Sequence, residues 1–359
     1  MRLIHQENME DLAIGAAVLG TGGGGDPYIG KLMAIEAINN YGPVQLIDVD
    51  ELDDDALIVP SAMMGAPTVM VEKMPSGEEI IHAFKSLEEY LGRKIDATVS
   101  IEAGGLNSTT PFSVAAQLGI PLVDADGMGR AFPELQMVTC TLHGVDATPM
   151  AMADEKGNSL IINTINNRWT EAFARSATME MGATAMIALY AMSGKQLKEG
   201  MIPGTLTLAE TIGRAIREAR INNEDPIQKV LELTGGYEVF RGKIADVQRQ
   251  TVAGFAKGEA IFTGVDVYAN SQMTLNFQNE HLVAIQDGEI VVSTPDLITV
   301  LDAETGEPIT TEGLRYGFRV VVLGMPCDAK WRTPEGLALV GPQYFGYEVD
   351  YTPVEQRYG

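Results

Sequence analysis

The spacing of apolar residues changes twice along the chain, and those changes limit the fold more than any single motif. Through about residue 165, short apolar runs alternate with helix-like stretches. Residues 44–49, 56–60, 97–101 and 121–123 are apolar or β-branched, and each run is followed by glycines, acids or turn residues. Buried strands of a parallel sheet read this way. The stretches 76–90 and 111–118 between them read as helices, so the first part is an α/β unit with a mainly parallel sheet. Residues 137–143 and 159–164 read as further strands, joined through ADEKG at 153–157, a hairpin-like turn.

From about 167 to 233 the period becomes 3.6, which predicts helices over 169–192, 207–219 and 226–233, with Thr205 and Thr207 as N-caps. After Gly235, residues 237–300 and 315–323 form alternating or continuous β-type runs broken by Asp-Gly, Thr-Gly and Gly-Glu turns. Three parts follow: an α/β domain over 1–166, a helical segment over 167–234, and a β-rich domain over 235–359 that ends in a proline- and aromatic-containing tail. A length of 359 residues fits more than one domain.

Charge narrows the partners. With 25 Lys+Arg against 49 Asp+Glu the formal net charge is −24, and the cations are scattered rather than clustered. Such a field repels nucleic acid and anionic lipid surfaces, and no run of about 18 apolar residues is present to span a bilayer. The start, MRLIHQENMEDL, places acids where a signal peptide has a basic region. Cys140 and Cys327 lie too far apart in sequence to suggest a disulfide framework or a metal knuckle. A soluble cytoplasmic protein is expected. The methionines cluster at 63, 64, 70 and 74 and at 179, 181, 186 and 192, and the second, helical set reads as adaptable core or as a subunit interface; a homo-oligomer is expected.

Candidate chemistry begins at GTGGGGDP, residues 20–27. Asp26 suits a helix N-cap and Pro27 its first turn, so a helix should open there. Gly22, Gly23, Gly24 and Gly25 leave backbone N–H groups free to turn toward an anion or a carbonyl oxygen. A dinucleotide fingerprint fits poorly, because the loop follows a helix-like stretch rather than a strand. Ligands of open α/β sheets sit beyond the carboxyl ends of strands. Three such ends are rich in polar groups: SAMMGAP from Ser61, EAGGLNS from Glu102 and DADGMGR from Asp124. Glu102, Asp124 and Asp126 could there act as bases, bind a cation or accept from substrate N–H groups, or else cap helices. Asn107 and Arg130 could orient a substrate, Asn107 alternatively capping the helix at 111 and Arg130 alternatively forming a salt bridge.

No histidine spacing marks a zinc site. An all-acid oxygen set favours magnesium, calcium or manganese, so a divalent metal stays open. Cys140 lies in an apolar run and reads as core. Cys327, in GMPCDAKW, reads as part of an exposed loop and as a candidate nucleophile.

Taken together, GTGGGGDPYIG, VPSAMMGAP, EAGGLNS, DADGMGRAFPELQM, GMPCDAKW and GPQYFGYEVDYTPVE resemble the S-methyl thiohydantoin desulfurase-like family over nearly the whole chain. The resemblance implies an α/β N-terminal part, a β-rich C-terminal part, and hydrolytic removal of a methylthio group from a hydantoin-like ring. Water would attack a ring sp² carbon, with Asp124, Asp126 or Glu102 as base, the Gly22–Gly25 amides or Arg130 at the oxyanion, and Cys327 as an alternative nucleophile. Two other readings stay open: a nucleotide- or metal-assisted amidohydrolase of the hydantoinase/oxoprolinase type, and a non-enzymatic small-molecule-binding or accessory subunit of a hydantoinase complex.

Overall fold

The computed structural model describes residues 1–65, 77–252 and 254–359. In chain order, β1 (Arg2–Ile4), α1 (Met9–Leu19) and α2 (Pro27–Tyr41) lead into β2 (Val44–Ile47), β3 (Leu57–Gly65), α3 (Glu79–Leu91) and β4 (Ala97–Ser100). Next come α4 (Thr110–Leu118), β5 (Leu122–Val123), β6 (Ala125–Asp126), β7 (Met150–Ala153), β8 (Ser159–Ile162) and α5 (Asn167–Glu180). The middle of the chain continues with β9 (Thr184–Ala188), β10 (Met192–Ser193), α6 (Gly194–Gly200), β11 (Ile202–Pro203), α7 (Thr205–Asn222) and α8 (Pro226–Thr234). The last third holds β12 (Tyr237–Val252), β13 (Phe255–Gly264), β14 (Gln272–Gln278), β15 (Glu280–Gln286), β16 (Glu289–Ser293), β17 (Leu297–Asp302) and β18 (Arg319–Met325). It closes with α9 (Pro334–Val340) and α10 (Val354–Tyr358).

Among the described residues the first sheet runs β1-β2-β5-β4-β3-β9-β7-β8, with β10 beside β3. The pairs β2–β5, β4–β5 and β3–β4 are parallel, with α3 and α4 as the crossovers that parallel neighbours require. Beyond β3 the sheet turns antiparallel through β9, β7 and β8. It is therefore mixed, where the sequence pattern predicted a mainly parallel one. Among the described residues no helix is long and apolar enough to cross a membrane.

Three differences from the sequence reading account for this. The expected helix over 169–192 stops at Glu180, because Gly182 and Ala183 take positive φ values of 90° and 69°, and Thr184–Ala188 then enters the sheet fully buried. The 167–234 stretch thus contributes a strand of the first sheet as well as helices. The expected strand over 137–143 is instead a 3₁₀ turn, Thr139–His143, closed by left-handed Gly144 and anchored where Thr139 donates to the Gly127 carbonyl. The strand expected to end at residue 60 continues to Gly65, so Ser61–Gly65 pair with β9 rather than forming a loop. Residues 66–76, which include Pro67, Met70 and Met74 and the expected helix start at 76, lie outside the described residues.

The second sheet is antiparallel throughout, in the order β16-β15-β14-β13-β12-β18-β17. The two apolar strands at its β17 end, β18 and β17, are covered on both faces. Ile298, Val300, Val320 and Val322 face a core inside this domain, while Leu297, Leu301, Val321 and Leu323 join the core of the α/β part. That double burial explains the unbroken apolar run VVVLGM, which period-2 alternation would otherwise interrupt. Thr299 Oγ1 donates to the Val18 carbonyl at 2.7 Å, tying β17 to α1.

The helix pair α1 and α7 closes the far side through glycine contacts. A Cβ on Gly15 would stand 1.7 Å from the Ala209 carbonyl oxygen, and one on Gly213 would stand 1.8 Å from that of Asp11. Gly15→Ala should therefore destabilise the protein by roughly 1–3 kcal/mol through overpacking, although alanine gains about 1 kcal/mol of helix propensity. Chemical denaturation reads this directly. An unchanged midpoint would contradict the close approach.

Candidate functional site

The glycine loop lies between the two sheets, and each glycine makes room for a different neighbour. A Cβ on Gly22 would stand 2.6 Å from the His281 ring and one on Gly23 2.1 Å from Glu280 Oε1, both in the β-rich half. A Cβ on Gly24 would meet the Gly104 Cα at 2.4 Å and one on Gly25 the Leu106 Cβ at 2.6 Å, both in the α/β half. This is why four consecutive glycines stand here: the loop is a thin wedge on which both halves close. Thr21 and Gly22 bind the β-rich half through His281 N–H to the Thr21 carbonyl (2.8 Å) and Thr311 N–H to that of Gly22 (2.8 Å). The Gly24 carbonyl accepts from Leu106 N–H at 2.9 Å. Asp26 caps α2 by accepting from the N–H groups of Tyr28 and Ile29. It is a structural cap and does not line the cleft.

Beside the wedge opens a cleft with about 610 Å³ of empty space, its mouth included. Glu102, Asn107, Glu134 and Glu280 provide its polar side, and Gly24 and Gly25 line it with N–H groups that meet no acceptor among the described residues. Met63, Met64, Met128 and Phe132 form an apolar wall. Glu102 follows β4. Its Oε1 accepts from Asn107 Nδ2 at 2.6 Å and its Oε2 from the Phe132 N–H at 3.3 Å. Asn107 is itself locked, its Oδ1 accepting from Met63 N–H at 2.8 Å. Burial pushes the Glu102 carboxyl up to about 7, against the pull of the two hydrogen bonds. Glu280 comes from the other half of the molecule. Burial and the proximity of Glu102 hold its carboxyl well above the usual range, and its Oε2 has no hydrogen-bond partner among the described residues.

Glu280 was missed in the sequence, where an acid in a β run looks like a solvent-facing position. The structure decides its facing: the Asn279 before it takes a positive φ of 59°, and a bulge between Asn276 and Phe277 resets the strand.

The other anticipated residues do not converge on the cleft. Asp124 takes up the role its position also allowed, capping α7: its Oδ1 accepts from Leu206 and Thr207 N–H at 3.0 and 3.1 Å and its Oδ2 from the Thr207 hydroxyl. Thr205 and Thr207 therefore do not supply the cap, since the N-cap position is Gly204. Asp126 is fully buried behind the cleft, where its Oδ2 accepts from Met128 and Gly129 N–H; burial pushes it up to about 7. Arg130 forms no salt bridge among the described residues. Its guanidinium donates to the carbonyls of Ala131 (3.0 Å), Pro295 (3.2 Å), Asp296 (2.6 Å) and His281 (2.9 Å) and to the Thr21 hydroxyl (3.0 Å). No N–H is left over for a substrate. Cys140 is core, its thiol pushed up by burial. Cys327, expected in an exposed loop, is instead buried between Tyr351 and Arg332, away from the cleft lining, and its thiol is pushed up to about 12 by burial and the nearby Asp296. It is a poor nucleophile in this setting.

Two family models match the chain: S-Me-THD-like, N-terminal domain over residues 7–164, and S-Me-THD-like, C-terminal domain over residues 165–354. Among solved structures, an X-ray crystal structure of a protein from Chromobacterium violaceum is similar at 25% identity and a TM-score of 0.82, covering 99% of this chain and 100% of that one. Among curated proteins there is no match.

The buried acids make stability depend on pH. A carboxyl that titrates higher folded than unfolded holds more protons in the folded state, so stability falls as pH rises from the unfolded value toward the folded one. For Asp126 that window runs from 3.8 to about 7. Asp126→Asn, whose amide oxygen can still accept from Met128 and Gly129 N–H, should therefore lose less thermal stability than wild type between pH 5 and 8. Parallel melting curves for the two proteins would contradict a titrating Asp126.

Proposed function

The chain belongs to the S-Me-THD-like family, and from that premise we propose that it is a hydrolase of hydantoin-like rings that removes a methylthio group at the Glu102–Glu280 cleft. One observation carries the reading: two buried carboxyls, Glu102 and Glu280, one from each half of the molecule, line a single cleft together with two backbone amides that meet no acceptor among the described residues. Proton transfer in both directions needs an ionised and a protonated group side by side near neutral pH, and burial tunes carboxyls in this way.

In the proposed reaction Glu102 takes a proton from water as its oxygen bonds to the ring carbon that carries sulfur. The C=N π pair moves onto the ring nitrogen, which takes the Glu280 proton. Charge also spreads from that nitrogen to the adjacent ring carbonyl oxygen, where the Gly24 and Gly25 amides can stabilise it. The hydroxyl of the tetrahedral adduct then returns a proton to Glu280 while the C–S bond breaks. Glu102 hands its proton to the departing sulfur. The products are the ring carbonyl compound and methanethiol, and both carboxyls recover their starting states. The apolar wall accommodates the S-methyl group. A nucleotide phosphate on the glycine loop would face two acids across a narrow cleft, which disfavours the nucleotide-assisted alternative.

Glu102→Gln and Glu280→Gln should each lower kcat on an S-methylated thiohydantoin by roughly 10²–10⁴. With Glu102 as base, the wild-type kcat/KM should rise as pH passes through about 7. Cys327→Ser should stay within a few-fold of wild type. Full activity in both glutamine variants would overturn the assignment.

A further inference from the structure

A buried arginine is usually neutralised by a carboxylate in contact with it, since an uncompensated buried charge is costly. Arg130 has no such contact. Its five hydrogen bonds end on four backbone carbonyls and a threonine hydroxyl, and its guanidinium lies 4.4 Å from the centre of the Phe132 ring. Two of those links lead to the cleft acids. Phe132 forms part of the cleft wall and donates its N–H to Glu102. His281, whose carbonyl Arg130 holds at 2.9 Å, is the residue next to Glu280.

We propose that Arg130 is a positioning residue of the cleft: it sets Glu102 and Glu280 against each other across the domain boundary and supplies a buried positive charge against which one of the two is ionised. The surrounding charges are consistent with this role. Glu102 is faced by Asp126, Glu280 and Arg130, and Glu280 by Glu102, Glu312 and Arg130; the other cation lining the cleft, Arg175, is paired with Glu171. On Arg130 itself act Glu280, Glu102, Asp296, Cys327 and the neutral His281. Of these, Asp296 is already paired with Arg332 and Cys327 is a protonated thiol. Glu134, also in the cleft, is engaged by the Tyr344 hydroxyl at 2.7 Å. Glu280 and Glu102 are thus both among the acids that Arg130 acts on. The inference deepens the acid–base reading of the cleft and depends on it for its catalytic meaning, but its test needs no turnover.

Carbon-13 NMR of protein labelled at the glutamate carboxyls reads both titrations, with Glu102→Gln and Glu280→Gln assigning the signals. In Arg130→Gln the Glu102 midpoint should rise by about one unit or more, since a nearby cation lowers a carboxyl by that order. Arg130→Lys, which keeps the charge, should leave the midpoint near the wild-type value. A folded Arg130→Gln with a wild-type midpoint would overturn the proposal. Arg130→Met provides a second neutral variant should Arg130→Gln fail to fold: the Glu102 midpoint should again rise by about one unit, and a wild-type midpoint would equally overturn the proposal. If the midpoints move as expected and no cyclic amide is hydrolysed, the charge arrangement stands and the hydrolase reading falls.

Discussion

The buried guanidinium of Arg130 ties the two halves together where the cleft forms. One side chain from the α/β part, fully enclosed, reaches the carbonyls of residues 281, 295 and 296 in the β-rich part and the hydroxyl of Thr21 on the glycine loop. An arginine suits this position because its planar fork can satisfy several acceptors at once without losing its charge, which a lysine cannot match. Once that fork is filled, the glycine wedge, β15 and the segment that follows residue 101 have little freedom relative to one another.

The wedge follows from the same constraint. Four residues without side chains let the backbone of 22–25 lie within contact distance of His281, Glu280, Gly104 and Leu106 together. Side chains there would hold the halves apart and open the cleft. The same thinness leaves the Gly24 and Gly25 amides at the cleft surface, so one feature joins the domains and lines the site.

Much of this was legible in the sequence where local physics decides. The buried strands around 44–47, 97–100 and 122–123 announced themselves as short apolar runs, and Asp26-Pro27 announced the start of α2. Glu102 stood out as an acid among glycines beyond a strand. Asp124 carried the same local signal with the opposite outcome, because the amides it caps lie some eighty residues further along the chain. Cys327 looked exposed because no nearby residue shows that Tyr351 and Arg332 close over it. Glu280 was hidden for a related reason: in a β run, only the pairing partners and the bulge decide which face a residue takes. Residues 184–188, read as helix, are a strand because their apolar run is buried on both faces of a sheet built by distant segments.

Glu102 and Glu280 should act together on one ligand. A crystal structure of the protein with an S-methylated thiohydantoin bound tests this most directly. The ring should lie between the two carboxyls, within hydrogen-bond reach of both, with its carbonyl oxygen on the Gly24 and Gly25 amides and its sulfur toward Met63 and Met64. A ring bound away from Glu280, or seated at Cys327, would contradict the account.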